Sequence, residues 1–523
     1  MIKGNGKKRY FFKKCFSIAL IWSILFGSPA YAQIPFVEGG LIGDVSMTAN
    51  TYEYEELFFM TGKPVVLKGT LKMPQAPDDK DKYTLKVTFD LSNVAERITL
   101  TRAITYDIVK TQKSNITQTL YEKTISKFDE TITTPEGTFT LGKYSFSDSR
   151  LFDQSPSVSY FSGHLVGERT YYLNGDYITN SGSITVLDEG DPIVGYIHEW
   201  GESETLVNHQ EIQHVIPNPN YDATVIDSKP NISWQAVLDQ NLACTKTVDF
   251  IYQGTDPQSI SFRGSYFKVT SEENVLTAKY DLPIVKADGA IDYEATKRNV
   301  GEINKSKEVI LETKPLITPK IRDISGHWAN QDVFLLTSLE IFDVDQDYFA
   351  PDAYISRLEF GKAVVNALEG VLPEATRTDL IKRKRPGVTT PYLDVLPDDP
   401  DYQYYEYIKA HNLMAGENSY FKPNNPITRA EMVAVLITAL GLEYLAPNPP
   451  YKTVFTDDDR ISEWAKDFVY MANEIGLITG YDDGSFKPLN RVTKAEAASM
   501  IHALIKHLKD EITYDYREKI INR

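Results

Sequence analysis

Residues 421–431 read Phe421-Lys-Pro-Asn-Asn-Pro-Ile427-Thr428-Arg429-Ala430-Glu431, and the same phrase stands at two other places. Phe349-Ala-Pro351 leads to Ile355-Ser356-Arg357-Leu358-Glu359, and Phe486-Lys-Pro488 leads to Val492-Thr493-Lys494-Ala495-Glu496. In each copy the Ser or Thr follows the Pro by five residues. A hydroxyl residue with Glu three positions later is a capping box, in which each side chain satisfies a backbone N–H at the start of a helix. Ser356, Thr428 and Thr493 are therefore predicted helix caps, with Glu359, Glu431 and Glu496 as their partners.

Reading outward, each copy begins with an aspartate: Asp323, Asp394 and Asp457. Trp328 and Trp464 stand twelve residues before Glu340 and Gly476, whereas the equivalent offset before Asn412 falls on Pro400, near Tyr402, Tyr404 and Tyr405. Taken alone, each Trp reads as core. Phe468, Met471, Ala472 and Ile475 stripe one helix that stops at Gly476, and Met432 to Leu440 stripe another that stops at Gly441. Arg357, Arg429 and Lys494 occupy the first helical position, where a cation opposes the helix dipole. Three such residues at equivalent places point to anion sites, because helix N-termini attract anions.

The half before this repeat has a period of two. Tyr83, Leu85, Val87, Phe89 and Leu91 alternate with polar residues, and Ile98, Leu100, Ile104, Tyr106 and Ile108 continue the pattern with Arg102 as the polar intruder. Asn174-Gly175 and Thr134-Pro135-Glu136-Gly137 read as turns. The expectation is an all-β region, sandwich or barrel-like and antiparallel, over residues 33–313. It has room for two modules and a break near 188–192.

Residues 1–14 carry six basic side chains and no acid, followed by an apolar run from Phe16 to Phe26 and Pro29-Ala30-Tyr31-Ala32. This is the form of a signal peptide cleaved after Ala32, since about 11 apolar residues fall short of the ~20 that span a bilayer. No later segment is long and apolar enough to span one. Loss of the six positive charges takes the net charge of the 523-residue chain from −17 to −23. So acidic a chain is ill suited to nucleic acid. Cys15 leaves with the leader, and Cys244 reads as a lone buried thiol.

The repeat resembles S-layer homology domains, the wall-anchoring modules of exported bacterial proteins. The resemblance covers residues 321–508 and rests on the Asp–Trp start, the Phe-x-Pro turn and the Ile-Thr-Arg-Ala-Glu opening. It implies an α-helical pseudo-threefold bundle of three modules whose grooves hold anionic secondary cell wall polysaccharide, often bearing pyruvyl-ketal carboxylates. By position, Arg357, Arg429 and Lys494 would meet carboxylate, and Trp328 and Trp464 would line grooves. Asp323, Asp394 and Asp457 would accept sugar hydroxyls or act as structural caps. Copy two lacks the Trp, and Lys494 lacks the bidentate fork of arginine, so unequal grooves are expected.

The implied order is a leader (1–32), the β-rich region (33–313), a linker (314–320) and module one (321–370). A basic linker (371–390), module two (391–443), a linker (444–452), module three (453–508) and a tail (509–523) follow. Asp343-Val-Asp345-Gln-Asp347 starts like a calcium loop but lacks its Gly and terminal Glu. His198, His209 and His214 read as surface or hairpin residues, and Lys382–Arg385 as a solvated loop. No metal, cofactor or catalytic motif is predicted. The expected function is non-catalytic wall anchoring that displays the β-rich region, with other surface-layer proteins as further partners. The rival readings place a polysaccharide-active enzyme or an adhesin in residues 33–313.

Overall fold

The structure is a computed structural model that describes residues 40–45, 50–74, 77, 80–113, 117–174, 182–218, 221–225, 229–254, 264–286, 290–293, 295–372, 383 and 390–512. The leader, residues 175–181 with Gly175 of the Asn174-Gly175 turn, and the Lys382–Arg385 run apart from Arg383 fall outside these residues.

Strands β1 (Gly40–Val45), β2 (Thr51–Phe58), β3 (Val65–Lys72), β4 (Lys82–Asn93), β5 (Ile98–Gln112), β6 (Gln118–Thr134) and β7 (Gly137–Gln154) open the chain. They continue as β8 (Ser159–Leu173), β9 (Ser183–His198), β10 (Gly201–Pro217), β11 (Asn231–Gln253), β12 (Ser265–Leu282) and β13 (Asn299–Pro315). All lie in one 13-stranded sheet whose spatial order equals the chain order. Each strand runs antiparallel to the next, as in the register Val87↔Ile104, Arg102↔Glu130 and Asn208↔Gln240. The two ends of the sheet approach each other. Lys305 and Lys307 of β13 reach across β1 to Glu55 and Glu53 of β2, at 3.2 and 3.0 Å. A Cβ on Gly43 would lie 2.1 Å from Lys307 Nζ, so the lysine crosses directly over the glycine. The result is a nearly closed, barrel-like sheet.

The alternating residues sort as their polarity dictates. Leu85, Val87, Phe89 and Leu91 of β4 and Ile98, Leu100 and Ile104 of β5 are buried, each fully buried aliphatic side chain contributing roughly 1.5–3 kcal/mol. Thr84, Lys86, Asp90, Thr99 and Thr101 face outward. Residues 188–192 do not divide the region. They lie inside β9, where Gly190 pairs with Asn208 and Ile193 with Leu206, so the acidic Gly/Pro stretch forms a β-bulge. His198 stands at the β9–β10 hairpin, as one of the two readings had it, but the surface reading is corrected: His198 and His214 are both buried, and His214 stacks on Trp234 at 5.3 Å. Only His209 of the three is open to solvent, and it meets Asp239 at 2.8 Å. Cys244 is a free, buried thiol.

Charged clusters interrupt the apolar interior. Arg102 forks onto Glu56 at 2.9 and 3.1 Å and onto Glu130 at 2.8 Å, and the Tyr171 hydroxyl donates to Glu130 at 2.7 Å. Lys123 and Arg150 hold Asp148 at 2.7 and 3.2 Å, and Arg150 also bonds Glu204 at 2.9 Å. Arg169, Asn208 and Gln210 converge on Asp188. Such clusters contribute little net stability against hydrophobic replacements, but removing one partner is costly, so they disfavour a slipped register. Burial disfavours the ionised form of Asp148, yet Arg150 and Lys123 outweigh it and hold the carboxyl at about 2. Burial dominates at Glu204 and pushes it up to about 7 despite Arg150.

Among the described residues six α-helices follow: α1 (Asn330–Ser338), α2 (Arg357–Glu369), α3 (Tyr402–Ala410), α4 (Arg429–Leu440), α5 (Glu463–Glu474) and α6 (Lys494–Asp510). Phe360, Ile408, Leu436, Val469 and Ile501 contribute to a second core, distinct from that of the sheet interior. None of these helices is long and apolar enough to cross a membrane.

The raised pKa of Glu204 has a defined sign. The folded state favours its protonated form, so this group's stabilising contribution is lost as pH rises from the unfolded value of 4.5 through about 7. Glu204→Gln is expected to gain stability relative to wild type between pH 5 and pH 8 in calorimetric unfolding. An equal difference at both pH values contradicts the assignment.

Candidate functional site

Three helix openings meet at the seams of the helical region, and each is built the same way. Ser356, Thr428 and Thr493 are extended, with ψ of 161°. Their hydroxyls accept from the N–H of Glu359, Glu431 and Glu496 at 3.1, 3.3 and 3.2 Å. The glutamates accept from the cap N–H at 3.0, 2.9 and 2.8 Å, which completes all three capping boxes.

The turn before each opening repeats as closely. Ala350, Lys422 and Lys487, each in the middle of Phe-x-Pro, have φ of 56°, 58° and 57°. Both oxygens of Asp323 accept from Phe349 and Ala350, at 2.9 and 2.7 Å. Asp394 does the same for Phe421 and Lys422, and Asp457 for Phe486 and Lys487. These aspartates thus satisfy the N–H groups of a left-handed turn.

The openings interlock in a ring. Ile355 donates to Val492 O (3.0 Å), Val492 to Ile427 O (3.0 Å) and Ile427 to Ile355 O (3.2 Å). The amides at the first helical position, on Arg357, Arg429 and Lys494, donate to Asn425, Asn490 and Ala353 of another copy at 2.9, 2.9 and 2.8 Å. The next amides donate to Pro423, Pro488 and Pro351 at 3.1, 3.0 and 3.0 Å. With the third amide capped, the donors that usually make a helix start an anion site are already engaged. Side chains must supply any anion contact here.

The three cations follow the same ring. Arg357 pairs with Glu431 at 2.7 Å, Arg429 with Glu496 at 3.8 Å and Lys494 with Glu359 at 2.8 Å. Arg357 also donates to Phe421 O and Ala415 O, both at 2.9 Å. Arg429 donates to Phe486 O at 3.0 Å and lies 4.6 Å over the Tyr481 ring. The two arginines are buried, and the three cations are unequally committed, with Arg357 the most and Arg429 the more loosely paired.

Trp328 and Trp464 are 65% and 55% exposed, so the core reading of an isolated Trp does not hold for either. Copy two differs. Tyr402, Tyr404 and Tyr405 are buried in its core, while Leu393, Leu396 and Tyr420 are exposed. The second role of the capping glutamates, as partners of another copy's cation, escaped the sequence reading; their repeat alongside the cations was the available signal. Arg383 lies 4.2 Å over the Tyr402 ring and 3.3 Å from Glu406.

Comparison with known proteins agrees with this geometry. The S-layer homology domain model matches residues 320–360, 391–433 and 454–498. An amylopullulanase of Thermoanaerobacterium thermosulfurigenes is 23% identical over 337 residues, covering 64% of this chain and 15% of that protein. Exoglucanase XynX of Acetivibrio thermocellus is 28% identical over 187 residues, covering 35% and 16%. A surface layer protein of Brevibacillus choshinensis is 33% identical over 141 residues, covering 27% and 12%. The chain spans under a fifth of the length of each of these relatives. The C-terminal region carries three S-layer homology domains, which mark an exported cell-surface protein anchored to the cell wall.

Two stability changes follow. Glu340 ends α1 with φ of 61° where copy three has Gly476, a conformation that costs an L-residue about 1–2 kcal/mol. After the unfolded-state entropy of glycine is subtracted, Glu340→Gly is expected to stabilise by about 0.5–1 kcal/mol in urea unfolding. Thr428→Ala is expected to cost about 1 kcal/mol. Glu431→Ala should cost more, since it also strips Arg357 of its carboxylate. Equal costs for the two would contradict the double role of Glu431.

Proposed function

We propose that the three domains, over residues 321–370, 391–443 and 453–508, form a pseudo-threefold bundle that holds anionic cell wall polysaccharide non-covalently. Residues 33–313 form the displayed region, structural or adhesive in role, which other surface-layer proteins contact. Trp328 and Trp464 provide stacking surfaces. Arg357, Arg429 and Lys494 pair with polymer carboxylates, including pyruvyl ketals, by exchanging a glutamate partner for a ligand one. Two or three grooves on one polymer add avidity. The observation that carries the reading is the exposure of two tryptophans at equivalent places beside a closely packed core, which supports their use as stacking surfaces.

The second reading places a polysaccharide-active site in the sheet region. Its support is the amylopullulanase match, whose 337 residues exceed the combined length of the three domains.

The cations are poor probes of binding because their loss also opens the seams. The tryptophans are better ones. Trp328→Ala with Trp464→Ala in the full chain is expected to lower retention on protein-free wall polymer at least tenfold, with circular dichroism unchanged. Undiminished retention contradicts the groove assignment. Incubation of the full chain with a panel of glycans is expected to release no new reducing ends, and their appearance favours the second reading.

A further inference from the structure

The sheet alternates strand direction, so every second turn lies at one end, together with the exit of β13. That end meets the helices. Trp200, in the turn after β9 and 4% exposed, donates its indole N–H to Ala367 O at 2.9 Å in the last turn of α2. Ser157, in the turn after β7, donates its backbone N–H to Ala439 O at 3.1 Å in the last turn of α4. Carbonyls in a last turn have no intrahelical donor; the caps at Gly370 and Gly441 serve Asn366, Ile437 and Thr438, and the sheet supplies donors for Ala367 and Ala439.

Packing and charge reinforce the contact. Trp200 meets Phe250 edge-on at 5.5 Å, and the Lys268 ammonium sits 5.1 Å over its ring while pairing with Glu199 at 3.2 Å. Lys509 of α6 pairs with Asp249 of β11 at 3.1 Å. Val158, Tyr160, Trp200 and Val248 belong to the same buried cluster as the helices. The chain leaving the sheet is held too, since Leu316 donates to Tyr266 O at 2.9 Å and accepts from the Ser265 hydroxyl at 3.0 Å.

We propose that this contact is a rigid mount that joins the displayed sheet and the anchoring domains into one oriented body. The mount grips the C-terminal ends of α2 and α4, and the openings at Arg357 and Arg429 lie at their other ends, about 15–18 Å away at 1.5 Å per residue. Polymer held at the openings therefore leaves the sheet projecting to the opposite side. That orientation rests on the polymer reading above; the rigidity does not.

Spin labels at Lys113→Cys on the sheet and Leu489→Cys on the bundle, in a full-length Cys15→Ser background, test the mount by pulsed dipolar spectroscopy. Both sites are exposed, and Cys244 is buried away from label. The wild-type mount is expected to give one narrow distance distribution. Trp200→Ala should at least double its width, and Trp200→Phe, which keeps a ring but loses the N–H, should broaden it less. A broad wild-type distribution overturns the proposal, and so does a Trp200→Ala distribution as narrow as wild type. Should Trp200→Ala fail to fold, the wild-type width decides alone. No polymer is present in the measurement, so its failure is distinct from a failure of wall binding.

Discussion

A helix begins with backbone N–H groups that nothing inside the helix can satisfy, and the helical region is organised around that deficit. At each of three openings one amide is met by the cap hydroxyl and two by carbonyls of another copy. No opening can be completed by its own domain. The ring of Ile355, Ile427 and Val492 expresses the same dependence in the backbone, and the Arg357–Glu431, Arg429–Glu496 and Lys494–Glu359 pairs express it in charge. Loosening one seam removes partners from two domains at once.

This arrangement changes how the acidic balance of the chain bears on function. A net charge of −17 opposes an anionic polymer at long range, and the helix amides that might have offset it are engaged. The remaining attraction is local. On the reading proposed above it lies with side chains that already have carboxylate partners, so recognition would be an exchange between two anions, helped by aromatic surface at Trp328 and Trp464. The pairs are unequal in length and exposure, so on the same reading the three cations would differ in readiness to exchange.

What the sequence made legible follows from the range of the interactions. The capping boxes span four residues, and the alternation of β4 and β5 spans eight or more, so both could be read directly. Arg102 stood out as polar on an apolar face, and it is buried against Glu56 and Glu130. Its partners could not be read, because Glu130 depends on the pairing register of β5 with β6 and Glu56 lies on β2, three strands away across the sheet interior. The stretch at 188–192 carried turn-forming residues, yet Asp188 is held inside by Arg169 and the extra residue is absorbed as a bulge. The burial of His198 and His214 escaped for the same reason, since inward or outward orientation depends on register. The partners of Arg357, Arg429 and Lys494 belong to other copies, beyond the reach of any local pattern.

The claim most open to test is that the openings are self-satisfied before any polymer arrives. Hydrogen exchange of the amides at 355–359, 427–431 and 492–496, measured with and without wall polymer, addresses it directly. The account expects slow exchange in both states, with new protection on binding confined to the segments around Trp328 and Trp464. Fast exchange at the openings in the free protein, suppressed only by polymer, would show that helix amides hold the anion and would contradict it.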